Sequence, residues 1–100
     1  MNVARADIVA RLSFLSTEQG GRRGPTPNEK FRCLMTIDDQ NFDVQLNLSD
    51  AGSIFPGQTV SVPLTFLNLE LARQHCSVGK EFSLRETEPI AHGVIEETLF

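Results

Sequence analysis

The run F-D-V-Q-L-N-L at residues 42–48 constrains this chain more than any other stretch. Apolar Phe42, Val44, Leu46 and Leu48 alternate with polar Asp43, Gln45 and Asn47. A period of two places one set on each face of an extended strand, and no helix can bury such a pattern on one side. The pattern recurs along the chain. Between Asp7 and Ser16, Ile8, Ala10, Leu12 and Phe14 share a face opposite Arg11 and Ser13. Phe31, Cys33, Met35 and Ile37 share one opposite Arg32 and Thr36. Val60, Val62, Leu64 and Phe66 do the same between Val60 and Leu67. Glu81–Arg85, carrying Phe82 and Leu84, and Val94–Leu99 supply a fifth and a sixth short strand.

Turn chemistry separates these runs. D-D-Q-N at 38–41 predicts a hairpin loop, and F-P-G-Q at 55–58 has the Pro and Gly positions of a type II turn. Pro63 cannot donate to a ladder, so it belongs at an edge or a kink. Asn68–Val78 is the one helix candidate, and its length suits a single helical turn within a loop. Brief strands at this spacing predict an all-β domain, either a small antiparallel barrel or a sandwich. A closed barrel has the merit of leaving no free edge.

One hundred residues predict one domain, residues 1–100, with no internal repeat or linker. The longest mainly apolar stretch, around Val60–Leu69, is broken by polar residues and falls far short of the roughly 20 residues of a membrane helix. The first residues lack the apolar core of a secretion signal. Cys33 and Cys76 form no CxxC motif and predict reduced thiols, hence a cytoplasmic protein without membrane contact. His75 and Cys76 are adjacent, a spacing that suits neither a zinc site nor a thiol–imidazole pair, so no metal, cofactor or catalytic group is expected. Glu86, Glu88, Glu96 and Glu97 suit a solvated strand face better than acid–base work, which needs an enclosing cleft.

Charge is unevenly spread. The net charge is −4, yet residues 1–35 hold six Lys/Arg against three Asp/Glu. Four of those cations, Arg22, Arg23, Lys30 and Arg32, flank the Gly- and Pro-rich stretch G-G-R-R-G-P-T-P. Two explanations stand. The stretch is a connector with solvated cations, or it is a tight turn that presents backbone amides and arginines to phosphate. Phe55, beside Pro56-Gly57, and Phe100 are candidates for exposed apolar anchors, but folding back onto a barrel end is the expectation; left exposed, Phe55 would mark a protein contact.

L-S-F-L-S-T-E-Q-G-G-R-R-G-P-T-P resembles the opening strand and loop of the third, C-terminal domain of elongation factor Tu. Glu18, Gly20, Gly21 and Arg22 fit the family's run, and Arg23 stands where the family has His. F-P-G-Q-T-V-S-V, G-K-E-F-S-L-R-E and G-V-I resemble later motifs of that domain, in the same order and at nearly the same spacing. The resemblance runs from about Ala6 to Leu99 and implies a small six-stranded antiparallel closed β-barrel. Departures are equally plain. After Arg85-Glu86 the family continues Gly-Gly-Arg, where this chain has T-E-P-I-A-H-G, and N-E-K, with Lys30 its only cation, stands where the family has Arg-Pro-Gln before the second strand. No GTPase domain is expected within these residues. Gly79-Lys80 is the one Gly-Lys pair, and Gln74 and Glu81 deny it a phosphate-binding loop, so no nucleotide is expected.

In that family the third-domain barrel contacts tRNA backbone and protein partners. The resemblance therefore implies a non-catalytic binding module, first for a protein partner and alternatively for tRNA or another structured RNA. The RNA-side positions it carries over are Gly21, Arg22, Arg23, Lys30 and Glu86, and Gly20 and Arg32 join them as candidate site residues. Few phosphate contacts and no Trp or Tyr to stack on bases would make RNA binding weak and salt-sensitive.

Overall fold

A computed structural model describes residues 6–100. Six strands form: β1 (Ile8–Phe14), β2 (Lys30–Ile37), β3 (Gln40–Asn47), β4 (Thr59–Phe66), β5 (Glu81–Arg85) and β6 (Pro89–Thr98). They close into an antiparallel barrel in the order β1-β4-β3-β2-β5-β6, with β6 returning to pair with β1. This is the all-β barrel that the alternation and the resemblance predict.

The alternating apolar sets become the interior. Ile8, Ala10, Leu12, Met35, Leu46, Val62, Leu64 and Leu84 are fully buried. Polar neighbours point outward, where Glu96 of β6 accepts from Arg11 of β1 at 3.2 Å and from the Ser61 hydroxyl of β4 at 2.7 Å. A barrel of this size is filled by its own side chains.

The β2–β3 connection is tighter than predicted. Only Asp38 and Asp39 lie between the strands, both left-handed at φ 51° and 61°. Two positive φ values are what a two-residue hairpin turn needs to match the strand twist, and Asp tolerates them better than most residues. At 55–58 the expected turn forms. Gly57 has φ 87°, and the Gln58 N–H donates to the Phe55 carbonyl at 3.1 Å.

Pro63 sits beside Leu64, the last β4 residue to pair with β3, so the ladder on that side ends where proline could not continue it. The helix candidate forms α1 (Leu69–Ala72), extended by a 3-10 turn at Arg73–His75. The strand expected at Val94–Leu99 is the main revision. It begins at Pro89 and ends at Thr98, and it buries Ile90 and Ala91, which lie before the expected strand start. Pro is tolerated as a first strand residue because its missing N–H faces the strand end.

Topology sorts the connections. Residues 15–29, 48–58 and 86–88 gather at one end of the barrel. The Asp38-Asp39 turn, residues 67–80 and the residues after β6 gather at the other.

Candidate functional site

At the first end, local hydrogen bonds fix the glycine loop. Ser16 caps the 3-10 turn Thr17–Gln19. Its hydroxyl accepts from the Gln19 N–H at 3.1 Å, and its own N–H donates to Gln19 Oε1 at 2.9 Å. Gly20 then turns the chain at φ 90°, a conformation glycine adopts without strain. Gly21 lies against the chain just after β1, where a Cβ would stand 2.4 Å from the Leu15 carbonyl oxygen. The Gly20 N–H donates to Thr17 O at 3.1 Å and the Gly21 N–H to Ser16 O at 2.9 Å. These amides, expected to be exposed, are thus engaged within the loop.

Arg22 is equally occupied. Its Nη1 pairs with Glu86 Oε1 at 2.7 Å, its Nη2 donates to Pro25 O at 3.2 Å, and its Nε reaches Gly24 O at 3.4 Å. The guanidinium lies 4.9 Å from the centre of the Phe31 ring. One side chain therefore ties the loop to the β5–β6 turn and covers a core aromatic.

The other cations behave differently. Arg23 and Lys30 are exposed and make no ion pair among the described residues, and Arg32, also exposed, reaches Gln45 Oε1 at 3.4 Å. Lys30 and Arg32 lie two residues apart on the outer face of β2. Of the residues singled out from sequence, the fold brings Arg22 and Glu86 together and leaves the remaining cations separate.

Neither thiol is set up to react. Burial pushes the Cys33 thiol up to about 12, with Glu86 adding to the rise and Arg22 opposing it. Burial likewise raises Cys76 to about 11, reinforced by Asp7 and Asp38, and its Sγ donates to Ala72 O at 3.4 Å. Because the thiolate is the nucleophile, we expect an aromatic disulfide reagent near neutral pH to label the folded protein slowly. Labelling of both cysteines should become fast only in denaturant. Fast labelling of the native protein would show that one of these environments opens.

At the second end, Asp38 joins two connections. Its Oδ1 accepts from Lys80 Nζ at 2.6 Å, and its Oδ2 lies 3.0 Å from His75 Nδ1. The His75 ring rests against Phe42, centroids 5.5 Å apart. The hydrogen bond from Lys80, then that from His75, holds the Asp38 carboxyl below its ordinary value. Glu96 is lowered too, first by the Ser61 hydroxyl and then by Arg11.

A folded value below the unfolded one stabilises the protein above the usual carboxylate range. That contribution is lost as pH falls through the lowered value. Urea midpoints measured from about pH 5 down to about pH 2 should therefore fall, and Asp38→Asn should flatten the decline. An unchanged slope in the variant would remove this pairing as a source of acid sensitivity. Among the described residues, no cluster of three or more His, Cys, Asp and Glu side chains is placed to hold a metal. Among them also, no helix is long and apolar enough to cross a membrane.

Large apolar side chains are exposed at both ends. The Phe55 ring does not fold back: it is 53 % exposed. The Pro56-Gly57 reversal and the bond from the Phe55 N–H to Gln58 Oε1, at 2.7 Å, hold it outward. At the opposite end Leu67, Leu71, Val78, Leu99 and Phe100 are all exposed. Sequence reading missed four of these five. Their alternation marks no face, and only the closed topology brings residues 67–78 beside 99–100. An open groove of about 370 Å³ runs along the outer wall beside Arg32, Asp43, Val44, Phe66 and Leu67.

The fold and these surfaces define a small closed β-barrel whose distinguishing features lie on its ends. No family model matches the chain. No curated protein matches it either.

Proposed function

We propose that this chain is a non-catalytic protein-binding module, built on a barrel of the kind found as the third domain of elongation factor Tu and working in the cytoplasm. The observation that carries the reading is that, among the described residues, the exposed large apolar side chains are confined to the two ends, Phe55 at one and five more at the other. Apolar groups held outward by fixed turns suit contact with another protein surface. The filled interior argues against an enclosed substrate. Within the translation-factor resemblance, Arg22 and the Gly20–Gly21 amides support the loop's own structure, which weakens the case for RNA. Arg23 and Lys30, exposed and without ion pairs, are what support tRNA-like backbone as the alternative.

The test is retention on the immobilised chain from ribonuclease-treated extract, alongside a titration of the chain with tRNA. The protein reading expects a stoichiometric protein and no saturable tRNA binding. Recovery of no protein, with tRNA affinity falling steeply between about 50 and 200 mM salt and lost in Arg23→Ala/Lys30→Ala, would replace it with the RNA reading.

A further inference from the structure

The geometry points to the apolar end of the barrel as a docking surface for an amphipathic, basic segment of another protein, one whose Lys or Arg residues flank its apolar ones. This rests on the protein-binding reading and narrows it to one face and one partner chemistry.

The apolar groups there are displayed by design of the backbone. In α1 the sequence L-E-L-A packs Leu69 and buries Ala72, one helical turn apart, and so turns Leu71 outward, where it is 61 % exposed. Val78 precedes Gly79, whose φ of 90° and N–H bond to Ile95 O at 2.8 Å fix the turn. Val78 is 67 % exposed and Leu67 78 %. The Leu67 N–H is held by Asp43 O and the Leu99 N–H by Asp7 O, each at 2.9 Å. Phe100 lies under the Arg73 guanidinium at 5.1 Å. Each side chain therefore projects from backbone or neighbours that are tied down, so ordering on binding costs little.

Charge selects the occupant. The two Lys/Arg side chains on the connection at this end are already engaged, Arg73 with Glu70 at 3.3 Å and Lys80 with Asp38 at 2.6 Å. Asp39, Asp43 and Glu97 are exposed and make no ion pair among the described residues. The apolar surface thus has an acidic rim. A second copy of this chain would bring like rims together, and anionic lipid or RNA would meet the same repulsion. A segment with cations beside apolar residues satisfies both features. The groove beside Asp43 and Leu67 continues the patch onto the β3–β4 wall, but Arg32 lines it too, so the charge that selects the occupant is the rim of Asp39, Asp43 and Glu97 rather than the groove itself.

The probe is a synthetic Leu/Lys peptide patterned as an amphipathic helix, titrated into the isotope-labelled full chain, with a Leu/Glu peptide of the same pattern as control. Amide shifts should concentrate at Leu67, Leu71, Val78 and Leu99, and the Leu/Glu peptide should cause none. Leu71→Lys/Val78→Lys should weaken binding by about tenfold or more, equivalent to about 1.4 kcal/mol. Asp43→Asn/Glu97→Gln, which keeps the apolar groups, should weaken it several-fold, and Phe55→Lys should leave it unchanged.

Shifts at another face, or equal binding of the acidic peptide, would overturn the assignment. So would self-association of the free chain that Leu71→Lys/Val78→Lys abolishes, since the occupant would then be a second copy. The outcome also separates from that of the broader reading. A cellular protein retained equally by wild type and Leu71→Lys/Val78→Lys overturns this face while leaving a binding module. Absence of any retained protein overturns the module.

Discussion

Gly93→Ala is expected to destabilise the protein by about 2 kcal/mol, which for a domain of this length lowers the melting temperature by roughly 8–16 °C. Gly93 pairs with Phe82 on one side and with Leu12 on the other. The Phe82 ring lies across the space a side chain would fill, and a Cβ on Gly93 would stand 2.3 Å from its Cζ. Phe82 is itself buried, so its ring has no room to swing aside without disturbing the interior. An aromatic covering a cross-strand glycine is a recurrent device in strongly curved sheets. Thermal melts of Gly93→Ala and of Gly93→Ala/Phe82→Leu check this. The double variant should recover part of the loss, because the smaller side chain vacates the contested space. A single variant that melts like wild type would mean that the ring is not confined.

Arg22→Ala is expected to cost a similar amount, about 2 kcal/mol. The substitution removes a 2.7 Å charge-assisted bond to Glu86, a bond to Pro25 O and the cation over Phe31. The ion pair alone is a minor part, since the Glu86 side chain is 42 % exposed and partly exposed pairs contribute about 0–1 kcal/mol. Glu86→Gln should therefore cost clearly less than Arg22→Ala. Arg23→Ala, on the neighbouring exposed residue, should stay within about 0.5 kcal/mol of wild type. Urea unfolding of the three variants provides the measurement. If Arg22→Ala proved as stable as Arg23→Ala, the guanidinium would have no structural role, and a ligand-binding role for it would regain force.

The contrast between these two arginines shows where sequence reasoning stops. Alternation alone identifies β3, because Phe42, Val44, Leu46 and Leu48 must share a face. It also gives β5 its observed bounds at Glu81–Arg85. The turn at 55–58 was legible because Pro-Gly leaves the backbone few options, but the outward direction of Phe55 depends on a bond to Gln58 that no propensity specifies. The first half of β6 was hidden behind Pro89 and Gly93, residues that punctuate most chains. Gly93 stands inside a strand because of Phe82, a reason visible only across the sheet. Arg22 and Arg23 look alike in sequence, yet one meets Glu86 across a separation of 64 residues and the other meets solvent. Asp38 is similar: its hairpin role could be read locally, but its bonds to His75 and Lys80 exist only once the crossover folds over the hairpin.

The bond between the Leu99 N–H and the Asp7 carbonyl sets the start of β1 and the end of β6 side by side. A polypeptide entering before β1 and one leaving after β6 therefore share a single doorway. A host protein can carry the domain as a plug-in cassette in one of its loops with little stretching of its own chain. Phe55 stands at the opposite pole, away from both strand ends.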